Sequence, residues 1–166
     1  MKKLLLPFLL LFTFSCEKTT KEVHLVIYND TRETIDVQVF PTLSYSDLSK
    51  GSYYYFSEAK SGKLETSFSL SAGQERTLFY SHDELSRPSV LFSKVFQRVE
   101  VVASTGSFKF FWSKDGAEGY KTNPYATDDI WSKELTHVDR STQPKRNPAD
   151  VTRYIVVVEE SGLAKD

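Results

Sequence analysis

The chain has 166 residues, 40% of them hydrophobic and 14% aromatic, with 21 Lys and Arg against 22 Asp and Glu for a formal net charge of −1. That length fits one ordinary domain with a core that needs neither metal nor disulfide, and the missing basic excess argues against nucleic acid as a partner. A single cysteine excludes an internal disulfide and a thiolate cluster.

Met1-Lys2-Lys3 is a short positive segment, followed by an apolar run from Leu4 to Phe14 interrupted only by Pro7 and Thr13. Eleven residues are too few to span a bilayer, which takes roughly 20; charge and length are those of a secretory signal. Ser15-Cys16 closes the run. The arrangement resembles the bacterial lipoprotein signal, and the Ser-Cys junction is similar to those of Bacteroidetes lipoproteins. The resemblance implies cleavage before Cys16, a diacylglycerol on its sulfur and an acylated new amino terminus. Thr13 and Phe14 depart from the usual Leu and small residue at those positions. Two or three acyl chains hold a protein on a membrane where one does not. The expected organisation is therefore a signal peptide over 1–15, a lipidated cysteine and polar tether over 16–21, and a folded domain over 22–162. The location it implies is the cell envelope, anchored at the outer membrane on its periplasmic face or at the cell surface.

The composition of the whole chain leans on Phe (12), Tyr (9), Val and Thr, which favours pleated structure. Residues 22–29 and 34–40 alternate as strands, and the Asn29-Asp30-Thr31-Arg32 turn between them predicts a hairpin. Pro41 ends the second strand, and residues 41–62 are irregular, with an aromatic run at Tyr53-Tyr54-Tyr55-Phe56. Residues 63–70 alternate again, Ala72-Gly73 turns the chain, and 75–80 returns it. Ser81 and Glu84 have the spacing of a capping box, and Pro88 opens a short helical segment to Phe96, in which Leu91 and Val95, and Phe92 and Phe96, lie four apart.

Residues 98–102 and 107–112 are predicted strands joined by an Ala103–Gly106 hairpin. Residues 113–128 read as loop, 130–135 as a strand and 138–150 as a long connection. Residues 152–160 are apolar on both faces, which predicts a central strand. Trp112 and Trp131 are expected in the core. Seven or more short strands with regular turns predict an all-β fold, an immunoglobulin-like antiparallel β-sandwich with one short helix. The opening and closing patterns (an apolar strand, Asn-Asp-Thr and a strand ending Phe-Pro; then Trp131 and Tyr154-Ile-Val-Val) resemble uncharacterised β-sandwich lipoproteins of the same bacteria, a resemblance that implies no activity.

Chemistry is sparsely marked. His24, His82 and His137 match no metal-ligand spacing, and His82-Asp83-Glu84 reads as a solvated turn. Asp128-Asp129 with Asp115 or Glu118 could gather carboxylates, but no calcium-loop pattern is present, so neither metal nor cofactor is expected. No GxSxG or phosphate-binding glycine motif occurs, and Asn29-Asp30-Thr31, though a glycosylation acceptor, reads as a turn. Tyr53, Tyr54, Tyr55 and Phe56 are the candidate ligand-binding residues, since Tyr combines apolar area with a polar tip; the competing reading packs alternate rings inward. Three functions follow: a non-catalytic envelope protein that binds a partner or is structural, which is preferred; a carbohydrate-binding accessory lipoprotein; and a hydrolase with unrecognised carboxylates. The partners these imply are the membrane, through the N-terminal lipid, and a protein or glycan.

Overall fold

The computed structural model describes residues 19–42, 53–54, 66–81, 87–139 and 148–164. Among these residues ten strands form two five-stranded sheets packed face to face. They are β1 (Thr20–Asn29), β2 (Ile35–Pro41), β3 (Tyr53–Tyr54), β4 (Ser67–Leu70), β5 (Glu75–Ser81), β6 (Phe96–Ala103), β7 (Lys109–Ser113), β8 (Gly116–Glu118), β9 (Trp131–Val138) and β10 (Ala149–Val158). One sheet runs β3-β5-β1-β10-β9 and the other β4-β2-β6-β7-β8. A single α-helix, α1 (Pro88–Val95), and a 3-10 turn at Glu160–Gly162 complete the described elements. The chain is an all-β sandwich, with one short helix among the described residues.

Alternation explains the core. Val23, Leu25 and Ile27 of β1 meet Val37 and Val39 of β2, Val99 and Val101 of β6, and Phe110 and Trp112 of β7 in one buried cluster. Val156 and Val158 join it from β10, which lies between β1 and β9 as its two apolar faces predict. Trp112 and Trp131 are both buried. Fully burying side chains of this size contributes roughly 1.5–3 kcal/mol each. The helix starts at Pro88, a residue suited to a first turn where no N–H is required. It sends Leu91, Phe92 and Val95 inward, where Phe92 meets Trp131 edge-on at 5.2 Å.

Four features depart from the sequence reading. First, β1 and β2 make no hairpin, because β1 pairs with β10 and β5 while β2 pairs with β4 and β6. The cause is Asn29, a fully buried side chain. Its amide donates to the Glu33 carbonyl at 2.8 Å and the Leu70 carbonyl at 3.0 Å, while its Oδ1 accepts from the N–H and hydroxyl of Thr31. This side-chain turn carries the chain from one sheet to the other. Second, Ala72-Gly73 does turn the chain, with Gly73 at φ 75°, but it too leads across the sandwich, from β4 to β5. Third, β1 and β10 run parallel, Thr20 beside Ala149 and Asn29 beside Val158, so the sandwich is not purely antiparallel. Fourth, a short strand, β8, pairs with β7 inside the stretch read as loop. The β6–β7 hairpin is as predicted, with Gly106 at φ 78° in its turn.

Ser81 belongs to β5, so it does not begin the helix; Arg87 is the residue before the first turn, and its side chain makes no cap. The cap comes from a distant loop, where Asp128 accepts from the Ser89 N–H at 3.0 Å. Burial works to raise the Asp128 carboxyl, but the Ser89 hydrogen bonds and the Arg87 charge together hold it below the ordinary range.

Candidate binding surfaces

Tyr53 and Tyr54 form β3, paired with Ser81 and Tyr80 at one edge of the first sheet. Tyr55, Phe56, Cys16 and His82 lie outside the described residues. The run is therefore not brought together as a described surface; only its backbone start is placed, on a sheet edge.

The remaining sequence candidates separate. His24 Nε2 lies 3.1 Å from Glu22 on the outer side of β1. His137 pairs with Asp150 at 2.8 Å on neighbouring, exposed strand positions. Asp128 is occupied at the helix start. Among the described residues no three His, Cys, Asp or Glu side chains are grouped to hold a metal ion. Asn29 cannot act as a glycosylation acceptor in the folded chain, because its amide nitrogen is buried and already donates twice.

Two outer faces carry the polar chemistry. On the first sheet, Arg153 of β10 bonds Glu134 of β9 at 2.8 Å and also Glu75 of β5. Because β1 lies between β10 and β5, the arginine side chain must cross β1, where the outward Val26 is fully buried. The three charges form a strap over an apolar strip, and the arginine stem adds apolar cover.

On the second sheet the outer face is open. Register aligns Ser69, Asp36 and Val102 in one row, and Ser67, Gln38, Glu100 and Phe111 in the next. A shallow cleft of about 390 Å³ runs along these rows, lined by Asp36, Gln38, Ser67, Ser69 and Glu100 among others. Asp36 accepts from the hydroxyls of Ser69 and Ser104. Glu100 pairs with Arg98 at 2.9 Å and with Lys109 at 3.9 Å. The Arg98 guanidinium also lies 3.8 Å above the Phe111 ring, a cation–π arrangement. Phe68, by contrast, turns toward the core and is covered by Arg76 at 4.3 Å. The cleft therefore offers carboxylate and hydroxyl oxygens beside a cation-covered ring, a set suited to hydrogen-bonding a hydroxylated ligand.

Sequence reasoning missed this face. Its residues are outward members of β2, β4 and β6, and their convergence depends on strand register, which alternation alone does not specify. Among the described residues no helix is long and apolar enough to cross a membrane. No protein-family model matches the sequence, and no curated protein matches it.

Proposed function

We propose that this chain is a lipid-anchored protein of the bacterial cell envelope, of Bacteroidetes type, whose β-sandwich has a non-catalytic binding or structural role. One observation carries the reading: Lys2-Lys3, a short apolar run and Ser15-Cys16 stand immediately ahead of the fold, with β1 beginning at Thr20. A lipid on Cys16 would thus hold the sandwich against the membrane surface with only a short polar tether between them. Cys16→Ser is expected to leave an uncut, unlipidated precursor in the native host or a close relative. Mass spectrometry of the mature protein checks this; an unmodified Cys16, or cleavage at another bond, rejects the anchor.

A carbohydrate-binding role is the second reading, favoured by the carboxylates and hydroxyls on the open face of the second sheet. Sugar hydroxyls donate to such oxygens, and a few placed polar groups give a site its specificity. A glycan array read with the intact chain and with Asp36→Ala tests it. Binding that Asp36→Ala abolishes supports this reading; binding unaffected by that change, or none, removes it.

A further inference from the structure

The β9 edge carries a pattern that neither reading uses. Among the described residues β9 pairs with β10 alone, in an unbroken antiparallel register from Trp131↔Val156 to Val138↔Ala149. The Trp131 N–H donates to the Asp128 carbonyl at 3.1 Å, so it points away from β10. Backbone groups alternate in direction along an antiparallel pair. Lys133, Leu135 and His137 therefore also aim their N–H and C=O groups at the open edge. Their side chains share the face of Trp131, which is buried, yet Leu135 is 77% exposed, the one exposed large hydrophobic residue recorded among the described residues. The strand runs past the cover that buries Trp131 and carries a bare leucine at its middle, on a ladder that is open among the described residues.

That edge is complementary to itself. Antiparallel pairing of two β9 strands must match the residues whose backbone groups face outward, which leaves three registers near the strand centre. Centring on Glu134 sets two like charges directly opposite, which is destabilising. Centring on Thr136 sets Leu135 against His137. Centring on Leu135 sets leucine against leucine, Glu134 against Thr136 and Lys133 against His137. The last contact also brings a lysine beside the His137–Asp150 pair, whose carboxylate lies 2.8 Å from the imidazole. The charges that protect an exposed edge from indiscriminate pairing here exclude the Glu134-centred register, and of the other two only the Leu135-centred one pairs leucine with leucine.

We propose that β9 is a homodimer interface, in which a second copy of this chain adds its β9 antiparallel, Leu135 against Leu135, and joins two five-stranded sheets into one. The proposal does not depend on the lipid anchor. Its test uses the full chain in mild detergent with Cys16→Ser, so that an introduced cysteine is the only thiol. At the two-fold position the Cα atoms of a bonded pair lie about 5.5 Å apart, within disulfide reach. Leu135→Cys should cross-link on mild oxidation, and Glu134→Cys, displaced from its own copy by two positions, should do so far less. Light scattering should give a dimer mass for the parent chain, and Leu135→Asp should weaken dimerisation by about tenfold or more with an unchanged circular dichroism spectrum. Should Leu135→Asp misfold, Leu135→Ser replaces it with the same expected direction. A monomer at high micromolar concentration overturns the proposal, as does equal cross-linking from both cysteines or a dimer insensitive to the Leu135 changes.

Discussion

Two turns of the sandwich lie in contact and work by opposite means. The corner from β1 to β2 is built by a side chain: Asn29 supplies two donors and an acceptor to the backbone around it, buried between the sheets. The hairpin from β6 to β7 is built by backbone freedom, with Gly106 at φ 78° and open space where a Cβ would stand. Glu33 of the corner accepts from Thr105 and from Ser107 of the hairpin, the latter at 2.9 Å, and the Ser104 N–H donates to the Thr34 carbonyl, so the two are tied together. The β1–β2 corner changes sheets on a polar bracket inside the protein, whereas the β4–β5 corner crosses with Gly73 at φ 75°. A hairpin that stays in its sheet needs only a residue that tolerates positive φ.

The comparison can be broken most forcefully at Asn29. Asn29→Leu leaves the Leu70 and Glu33 carbonyls without this donor and Thr31 without its acceptor. Each unsatisfied buried group costs about 1–3 kcal/mol, so a total loss of about 3 kcal/mol or more is expected in urea unfolding, with a fall in Tm of roughly 10 °C. A loss below about 1 kcal/mol would show that the corner is held by packing instead. Thr31→Val comes next: it keeps the shape of a buried residue but removes a hydroxyl bonded to Asn29 at 2.7 Å. Thermal denaturation should show a cost of about 1–2 kcal/mol, and a double variant with Asn29→Leu should be less than additive because the two share one bond. The smallest effect belongs to Gly106→Ala, about 1 kcal/mol for the left-handed backbone alone. It should add to Asn29→Leu without coupling if the two devices are independent; coupling above about 0.5 kcal/mol would mean that they act as one unit.

The same pair marks what can be read from the chain. Period-two alternation in residues 22–29 and 34–40 marks strands with one buried face, the two apolar faces of 152–160 mark a central strand, and Trp112 and Trp131 lie in the core as expected. Asn-Asp-Thr and Ala72-Gly73 revealed turns, but not their destinations. A turn signal is local, whereas sheet membership depends on partners such as Leu70, distant in sequence from the Asn29 it accepts from. The helix at Pro88 was legible from its spacing; its cap was not, since Asp128 arrives from a separate loop. The polar cleft required the register of β2 against both β4 and β6 before Asp36, Ser69 and Glu100 could be placed on one face. The case for Cys16 rests on sequence alone, and the tyrosine run is placed only as far as Tyr54.

The parallel pairing of β1 and β10 bears on how the protein answers to force. Thr20 enters the sheet beside Ala149, and Asn29 leaves it beside Val158. Tension between the two chain ends would pull β1 from its first residue and β10 from its last, in opposite directions along the strands. In that geometry the ladder's hydrogen bonds are loaded together, as in a lap joint, and none can open ahead of the others as a zipper would. The 3-10 turn would come free first, drawing Gly162 away from the Tyr120 ring it packs against. Beyond that point the sandwich should resist, its first and last strands acting as a mechanical clamp in any setting where one end is held and the other is pulled.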